Sequence, residues 1–388
     1  WSIGNEIPEQ WSTEGRDIAA HQQDLCHQLD PTRPVTQGMD RAEDALKSGF
    51  AQVMDVPGFN YRVPLYDNNI RQLPKGFLLG SETASTVSSR GVYKFPVEVS
   101  NTKTYSDGQC SGYDVEYCSW SNLPDDDWRM QDARDYTIGE FVWTGYDYLG
   151  EPTPYDEYWP SRSSYFGICD LAGLPKDRFW LYRSHWRTDV PTLHVLPHWT
   201  WPGREGEVTP VYCYTSYPSA ELFVNGKSQG RKVKNPATRL DRYRLRWNDV
   251  VYEPGEIKVV AYDYDGTPRG EQVIRTAGAP ARIVLKADRA TIASKGEDLS
   301  FVTVSLVDKD GNPCPAASNN MTFKVTGAGK LRGACNGDAT SLVPFCSTSM
   351  PLFSGELVVV VEGTAHGSAT LSVTADGLPE VTQTITVD

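Results

Sequence analysis

Two glutamates stand where strand-like runs give way to polar loops. Glu6 follows Trp1-Ser2-Ile3-Gly4-Asn5 and leads into Ile7-Pro8. Glu82 ends the run from Phe77 to Gly80 and leads into Thr83-Ala84-Ser85. In an α/β barrel the C-terminal ends of strands carry the catalytic groups. Two carboxyl groups can split a glycosidic bond, one protonating the leaving oxygen and the other acting as nucleophile or base. By position alone a solvated loop residue or a structural ion-pair partner is the plainer reading. The neighbours have to decide.

The other chemistry-bearing groups read more plainly as structure. His185, His194 and His198 are close enough in sequence to suggest a metal, but Trp186, Pro191, Pro197, Trp199 and Trp201 around them suit packing at a domain junction. Asp125-Asp126-Asp127 fits a helix N-terminus and a solvated face better than a calcium site. Asp308-Lys309-Asp310-Gly311-Asn312 lacks the terminal Glu of a calcium loop and reads as a hairpin turn. No metal is expected. The eight cysteines (26, 110, 118, 169, 213, 314, 335 and 346) contain no C-x-x-C pair and are expected to be mostly buried free thiols. Cys335 and Cys346 bracket a loop and are the candidates to pair in an oxidising compartment.

The carboxylates need a scaffold. At 388 residues the chain is too long for one ordinary domain, and 39% hydrophobic with 22% charged residues describes a globular protein. With 37 basic and 50 acidic residues its net charge is −13, which disfavours nucleic acid and anionic membrane as partners. No apolar stretch is long enough for a membrane span. Aromatic residues, at 11%, crowd the first 200 positions, and their flat faces suit sugar rings as well as cores. No signal-peptide pattern opens the chain, and a start at Trp1, inside an apparent strand and without Met, reads as a fragment of a longer protein.

Up to about residue 188, strand-like and helical runs alternate. Ser12 caps a helix whose Ile18, Leu25, Cys26 and Leu29 form one face, stopped by Asp30-Pro31. Strands are expected at 35–38, 52–56, 77–80 and 140–144, with helical runs at 41–47, 65–73 and 125–136. Such alternation implies a parallel sheet with crossover helices. A polar stretch from 85 to 124 shows little pattern. Beyond Pro191 the runs become short strands, with Asn225-Gly226 and Asp265-Gly266 as tight turns, which indicates a β-sandwich. Past Gly278-Ala279-Pro280, alternating runs read as an immunoglobulin-like sandwich. Three domains follow, at 1–188, 189–277 and 278–388.

The residues around the glutamates carry a resemblance. Trp1-Ser2-Ile3-Gly4-Asn5-Glu6 resembles the acid/base strand end of glycoside hydrolase family two. Leu79-Gly80-Ser81-Glu82-Thr83-Ala84-Ser85 resembles that family's nucleophile strand, and Met54-Asp55-Val56-Pro57-Gly58-Phe59-Asn60-Tyr61 the strand before it. The run from Glu140 through Trp143 to Pro152 resembles its last barrel strand, and the segments 211–214 and 221–227 the sandwich that follows. The four barrel motifs stand in the expected order.

The resemblance implies the C-terminal part of a (β/α)8 TIM barrel, strands four to eight, followed by two all-β immunoglobulin-like sandwich domains. It implies a retaining exo-β-glycosidase acting on terminal β-D-galactosides, with Glu82 as nucleophile and Glu6 as acid/base. Asn5 is then expected on the sugar 2-hydroxyl, Trp143 as a wall and Tyr61 against the nucleophile. Asp147 and Glu151, beyond Trp143, are within reach of substrate hydroxyls on this reading, Asp147 being the stronger candidate. No cofactor is required. The partner expected is a glycoside or oligosaccharide, and the missing N-terminal half or a second copy is expected to complete a chain inactive alone. The compartment implied is periplasmic or secreted. A β-glucuronidase or β-mannosidase of the same family is the first alternative. A non-catalytic carbohydrate-binding or adhesion module is the second, against which the presence of both glutamates argues.

Overall fold

Five short parallel strands carry the first part of the chain. The computed structural model describes residues 1–101, 103–294 and 298–388. Strands β1 (Ser2–Asn5), β2 (Thr36–Met39), β3 (Val56–Asn60) and β4 (Leu78–Thr83) are followed by two short pairing strands, β5 (Ser100–Asn101) and β6 (Glu116–Tyr117), and by β7 (Thr137–Val142). The main sheet has the order β1-β2-β3-β4-β7, which is chain order. Parallel neighbours need a crossover between them. Those crossovers hold α1 (Thr13–Leu29), α2 (Ala42–Ser48), α3 (Phe50–Val53), α4 (Tyr66–Asn69) and α5 (Pro124–Ala133). Met39, Phe50, Met54, Phe59 and Leu78 form the core under one face of the sheet.

Local chemistry sets the helix ends. The Ser12 hydroxyl accepts from the Gly15 amide at 2.9 Å and caps α1. Gly49, at φ 84°, ends α2 in the left-handed conformation. Pro124 and three aspartates open α5. The triad does not form a solvated face, however, because Asp125 and Asp127 are each 1% exposed. The expected apolar face of α1 is also reversed. Ile18, Leu25 and Leu29 are 50%, 47% and 78% exposed, while Gly15, Ala19 and Gln23 are buried. A β-carbon on Gly15 would lie 2.3 Å from the Glu9 carbonyl oxygen, so small residues take the packed side. The strand expected at 52–56 begins only at Val56, since Phe50–Val53 is helical. Glu82 lies within β4 rather than after it.

The chain divides into two compact units, one holding Trp1–Val87, Val115–Gly145 and a short piece beginning at Val99. The other holds Tyr146–Asp388, together with Ser88–Glu98 and Lys103–Asp114. This grouping differs from a division at 188 and 277. Part of the polar stretch belongs with the C-terminal half because its charges are anchored there. Arg90 pairs with Asp170 at 2.6 Å and donates to the carbonyls of Asn336 and Phe353, both at 2.9 Å.

In the second unit, α6 (Asp177–Trp186) precedes β8 (Leu193–Leu196), β9 (Val211–Thr215), β10 (Ser219–Val224), β11 (Lys227–Val233), β12 (Leu245–Trp247), β13 (Glu256–Tyr262) and β14 (Pro268–Arg275). Sheets β12-β9-β8 and β11-β10-β13-β14 share a core of Trp199, Val211, Leu222, Trp247 and Val259. Asn225 and Gly226, at φ 48° and 80°, make the tight turn between β10 and β11. Next come β15 (Arg282–Ala287), β16 (Thr291–Ile292), β17 (Leu299–Val307), β18 (Asn320–Gly327), β19 (Gly329–Cys335), β20 (Ser349–Pro351), β21 (Glu356–Gly363), β22 (Gly367–Ala375) and β23 (Leu378–Val387). They form sheets β15-β17-β21-β19 and β16-β23-β22-β18-β20 over a core that includes Val304, Phe323, Leu357 and Leu371. No helix among the described residues is long and apolar enough to cross a membrane.

Candidate active site

Strand register assembles the site. Asn5 pairs with Gly38 across β1 and β2, Gly38 with Gly58 across β2 and β3, and Asn60 with Glu82 across β3 and β4. Gly38 leaves room for its neighbours. A β-carbon there would lie 2.2 Å from Asn5 Oδ1 and 2.7 Å from Asn60 Oδ1. Glu6 and Tyr61, the residues next in chain after β1 and β3, both adopt left-handed backbone, at φ 48° and 56°. That conformation costs an ordinary residue on the order of 1–3 kcal/mol and gathers at functional sites.

One hydrogen-bond network then joins the two glutamates. Asn60 Nδ2 donates to Glu6 Oε1 at 2.9 Å and to Asn5 Oδ1 at 3.0 Å, while Asn60 Oδ1 accepts from Ser81 at 2.7 Å. The Tyr61 hydroxyl donates to Glu82 Oε2 at 3.0 Å and accepts from Ser85 at 2.9 Å. Asn60 is fully buried and Tyr61 6% exposed, whereas Glu82 is half-buried and Asn5 and Glu6 are exposed. Trp143, half-buried, follows β7, and its amide donates to the Thr83 carbonyl at 2.9 Å.

The surroundings act on Glu82 in opposing directions. Burial, the largest influence, pushes its carboxyl above the usual range, and the Glu6 charge pushes the same way. Hydrogen bonds from Tyr61, Asn5 and Asn60 pull it down without prevailing. The Tyr61 phenol is driven far above its ordinary value, mainly by burial, so it acts as a donor. A half-buried carboxylate under a phenol donor, linked through amides to an open carboxylate, is an arrangement that can attack a carbon on one side and move a proton on the other.

Asp147 has partners of its own. It lies in the second unit, buried, with its carboxylate on Lys176 Nζ at 2.7 Å and on the Gly167 amide at 2.7 Å. Its oxygens are therefore engaged inside the protein. Glu151 is exposed and accepts from the Tyr148 hydroxyl. His194 pairs with Asp177 at 2.6 Å and stacks on Trp180, His198 stacks on Trp201, and His185 meets Tyr243 edge-on. Burial holds His198 down at about 4. Asp308 closes its own turn by accepting from the amides of Asp310 and Asn312. Cys335 and Cys346 are free thiols. Sequence reasoning passed over Asn60, Ser85 and Gly38. Asn60 stood in full view beside Tyr61, and an amide that can face two carboxylates was the available signal.

The model of glycoside hydrolase family 2 C-terminal domain 5 matches residues 283–384, and that of a domain of unknown function (DUF4982) matches 206–269. A β-galactosidase of Bacteroides ovatus is 36% identical over an alignment covering 100% of this chain and 49% of the relative. The chain belongs to glycoside hydrolase family 2. It spans about half the length of that curated relative. A family 2 structure from Bacteroides cellulosilyticus superposes with a TM-score of 0.83 at 27% identity, covering 100% of this chain and 49% of that one. A putative β-glucuronidase of Formosa agariphila is 28% identical, covering 87% of this chain and 33% of its own length. Family 2 membership thus comes with two substrate names among the relatives.

Proposed function

We propose that this chain supplies both catalytic carboxylates of a retaining exo-β-glycosidase that acts on terminal β-D-galactosides. The observation that carries the reading is the network in which Asn60 reaches Glu6 while Tyr61, the next residue, holds Glu82. On this reading Glu82 attacks the anomeric carbon while Glu6 protonates the departing oxygen. Glu6 then takes a proton from the water that releases the sugar. Asn5 binds the 2-hydroxyl, and Trp143 walls the sugar. The raised Glu82 carboxyl must still be ionised to attack, so it sets an acid limit on activity above the usual carboxylate range.

The parallel sheet β1-β2-β3-β4-β7 is then part of an eight-stranded barrel, whose remaining strands complete the cleft, and the paired sheets of the second unit are two sandwich domains. The substrate is a glycoside or oligosaccharide, no cofactor takes part, and the compartment is periplasmic or secreted. The name of the Formosa agariphila relative supports a second reading, a β-glucuronidase. A panel of nitrophenyl glycosides tested on the full-length protein separates the possibilities. Hydrolysis of the β-galactoside alone is expected. Turnover of the β-glucuronide instead would favour the second reading, and no turnover of any glycoside would favour a binding module.

A further inference from the structure

Tyr61, Asn5 and Asn60 meet Glu82. Behind strand β4 lies a second polar cluster that the proposed chemistry does not use. Thr83, the residue after the proposed nucleophile, is 1% exposed and donates its Oγ1 proton to Glu140 Oε2 at 2.8 Å. The other oxygen of that carboxylate accepts from Trp128 Nε1 at 2.7 Å. The carbonyl of Thr83 accepts from the Trp143 amide at 2.9 Å. Strand β7 and the residue that follows it therefore grip both the side chain and the backbone of Thr83.

The fit around this grip is close. Gly80 lies two residues before Glu82, and a β-carbon there would stand 2.8 Å from Thr83 Cγ2, 3.2 Å from the Tyr66 hydroxyl and 3.4 Å from the β-carbon of Glu140. A second carboxylate, Asp127, is buried nearby. Its Oδ2 accepts from Asn122 at 2.6 Å, while its Oδ1 and the Tyr66 hydroxyl have no hydrogen-bond partner among the described residues. Burial and the Glu140 charge push the Asp127 carboxyl well up. The buried Asp127 carboxyl and the Tyr66 phenol, which lacks a partner among the described residues, are costly where apolar packing would serve stability better. Stability alone does not account for them.

We infer that Glu140 is a positioning residue, which through the Thr83 hydroxyl fixes the end of β4 and so aims the Glu82 carboxylate. The inference rests on Glu82 being the nucleophile of the proposed reaction. The Trp143 amide holds only the backbone of Thr83, so the aiming effect assigned to Glu140 passes through the Thr83 hydroxyl, and removing either end of that hydrogen bond removes the same contribution. A misplacement of about 1 Å at a reacting group can cost on the order of a hundredfold in rate.

The test compares Thr83→Val, which keeps the shape and deletes the hydroxyl, with Thr83→Ser, which keeps the hydroxyl, and with Glu140→Ala. Measured in the full-length protein, Thr83→Val and Glu140→Ala should each lower kcat about 10- to 100-fold with KM changed less than about threefold. Thr83→Ser should stay within about threefold of the parent, and the double variant should be no slower than the slower single one. Multiplying losses in the double variant, or an unchanged kcat in Thr83→Val, would overturn the inference. If Glu140→Ala does not fold, the valine and serine variants decide alone. A crystal structure of Thr83→Val adds a readout that needs no turnover. The Tyr61–Glu82 hydrogen bond, 3.0 Å here, should lengthen beyond about 3.5 Å. A carboxylate that stays in place would sink the positioning role, whereas a parent protein that hydrolyses no glycoside would sink the proposed function instead.

Discussion

Asn60 shows what a pair of carboxylates needs to become a site. Its single amide group spans from Glu6 and Asn5 on one side to Ser81 on the other, so the strand-end groups share one frame. The roles assigned to the two acids differ, and the difference is measurable. Glu82→Gln should abolish turnover of every substrate, because no glycosyl-enzyme can form. Glu6→Gln should slow steady-state turnover about 10²- to 10⁴-fold, the usual contribution of a general acid–base. With a dinitrophenyl glycoside, whose leaving group needs no proton, Glu6→Gln should still show a pre-steady-state burst and a trapped intermediate. Azide should then restore turnover as the β-glycosyl azide. An α-azide product from that variant, or a burst from Glu82→Gln, would mean the roles are reversed.

At the scale of elements, β2 contributes a space rather than a functional group. Gly38 sits in the ladder between Asn5 and its neighbours in β3, and its missing side chain is what lets both asparagine side chains lie over it. Gly38→Ala should displace side-chain tips more than backbone, since both short distances are to asparagine oxygens. We expect kcat/KM to fall about 10- to 100-fold while the loss of stability stays within about 1–3 kcal/mol, the range of most single substitutions. If Asn5 meets the 2-hydroxyl as proposed, a 2-deoxy glycoside should lose less. Parallel kinetics on the two substrates and a thermal melt check all three statements. Equal losses on both substrates would remove the 2-hydroxyl from the account.

For the molecule as a whole, buried acids link stability to pH. Asp114 is fully buried in the second unit, between Arg178 at 3.3 Å and the Tyr214 hydroxyl at 3.1 Å, and the Arg244 guanidinium donates to its carbonyl. Burial outweighs the two guanidinium charges and pushes its carboxyl up to about 6. The folded protein therefore holds this proton more tightly than the unfolded chain does. The stability contributed is full below the ordinary value near 4 and is lost as pH rises through about 6. A shift of that size corresponds to about 3 kcal/mol. Asp127 is raised by burial and by Glu140, and acts in the same direction. Denaturant melts between pH 4 and 7 should show a decline that Asp114→Asn flattens. A decline of equal size in that variant would show that Asp114 is not its source.

Much of this protein was legible in the order of its residues. Alternation of helical and strand-like runs announced the parallel sheet, and the Asn225-Gly226 turn is where two central positive-φ residues must be. Such features are written locally, in periodicity and in backbone freedom. The strand-end motifs also placed Glu6, Glu82 and Tyr61 in one argument before any geometry was known. Other features had no local sign. Strand β11 is almost wholly exposed and polar, so it has no alternation to read. Helix α1 buries Gly15 and Ala19, with Glu9 lying against Gly15, which its own apolar spacing contradicts. Nothing near Asp147 in the chain announces its buried ion pair with Lys176, 29 residues further on. The residues that bridge or brace the glutamates come from strands far apart in the chain: Asn60 lies 54 residues from Glu6, and Glu140 lies 57 from Thr83. Sequence by itself pointed to the groups proposed to carry the chemistry, because reactivity belongs to side-chain type and its near neighbours. Tertiary structure decided which groups aim them, because a hydrogen bond depends on distance in space and not on separation along the chain.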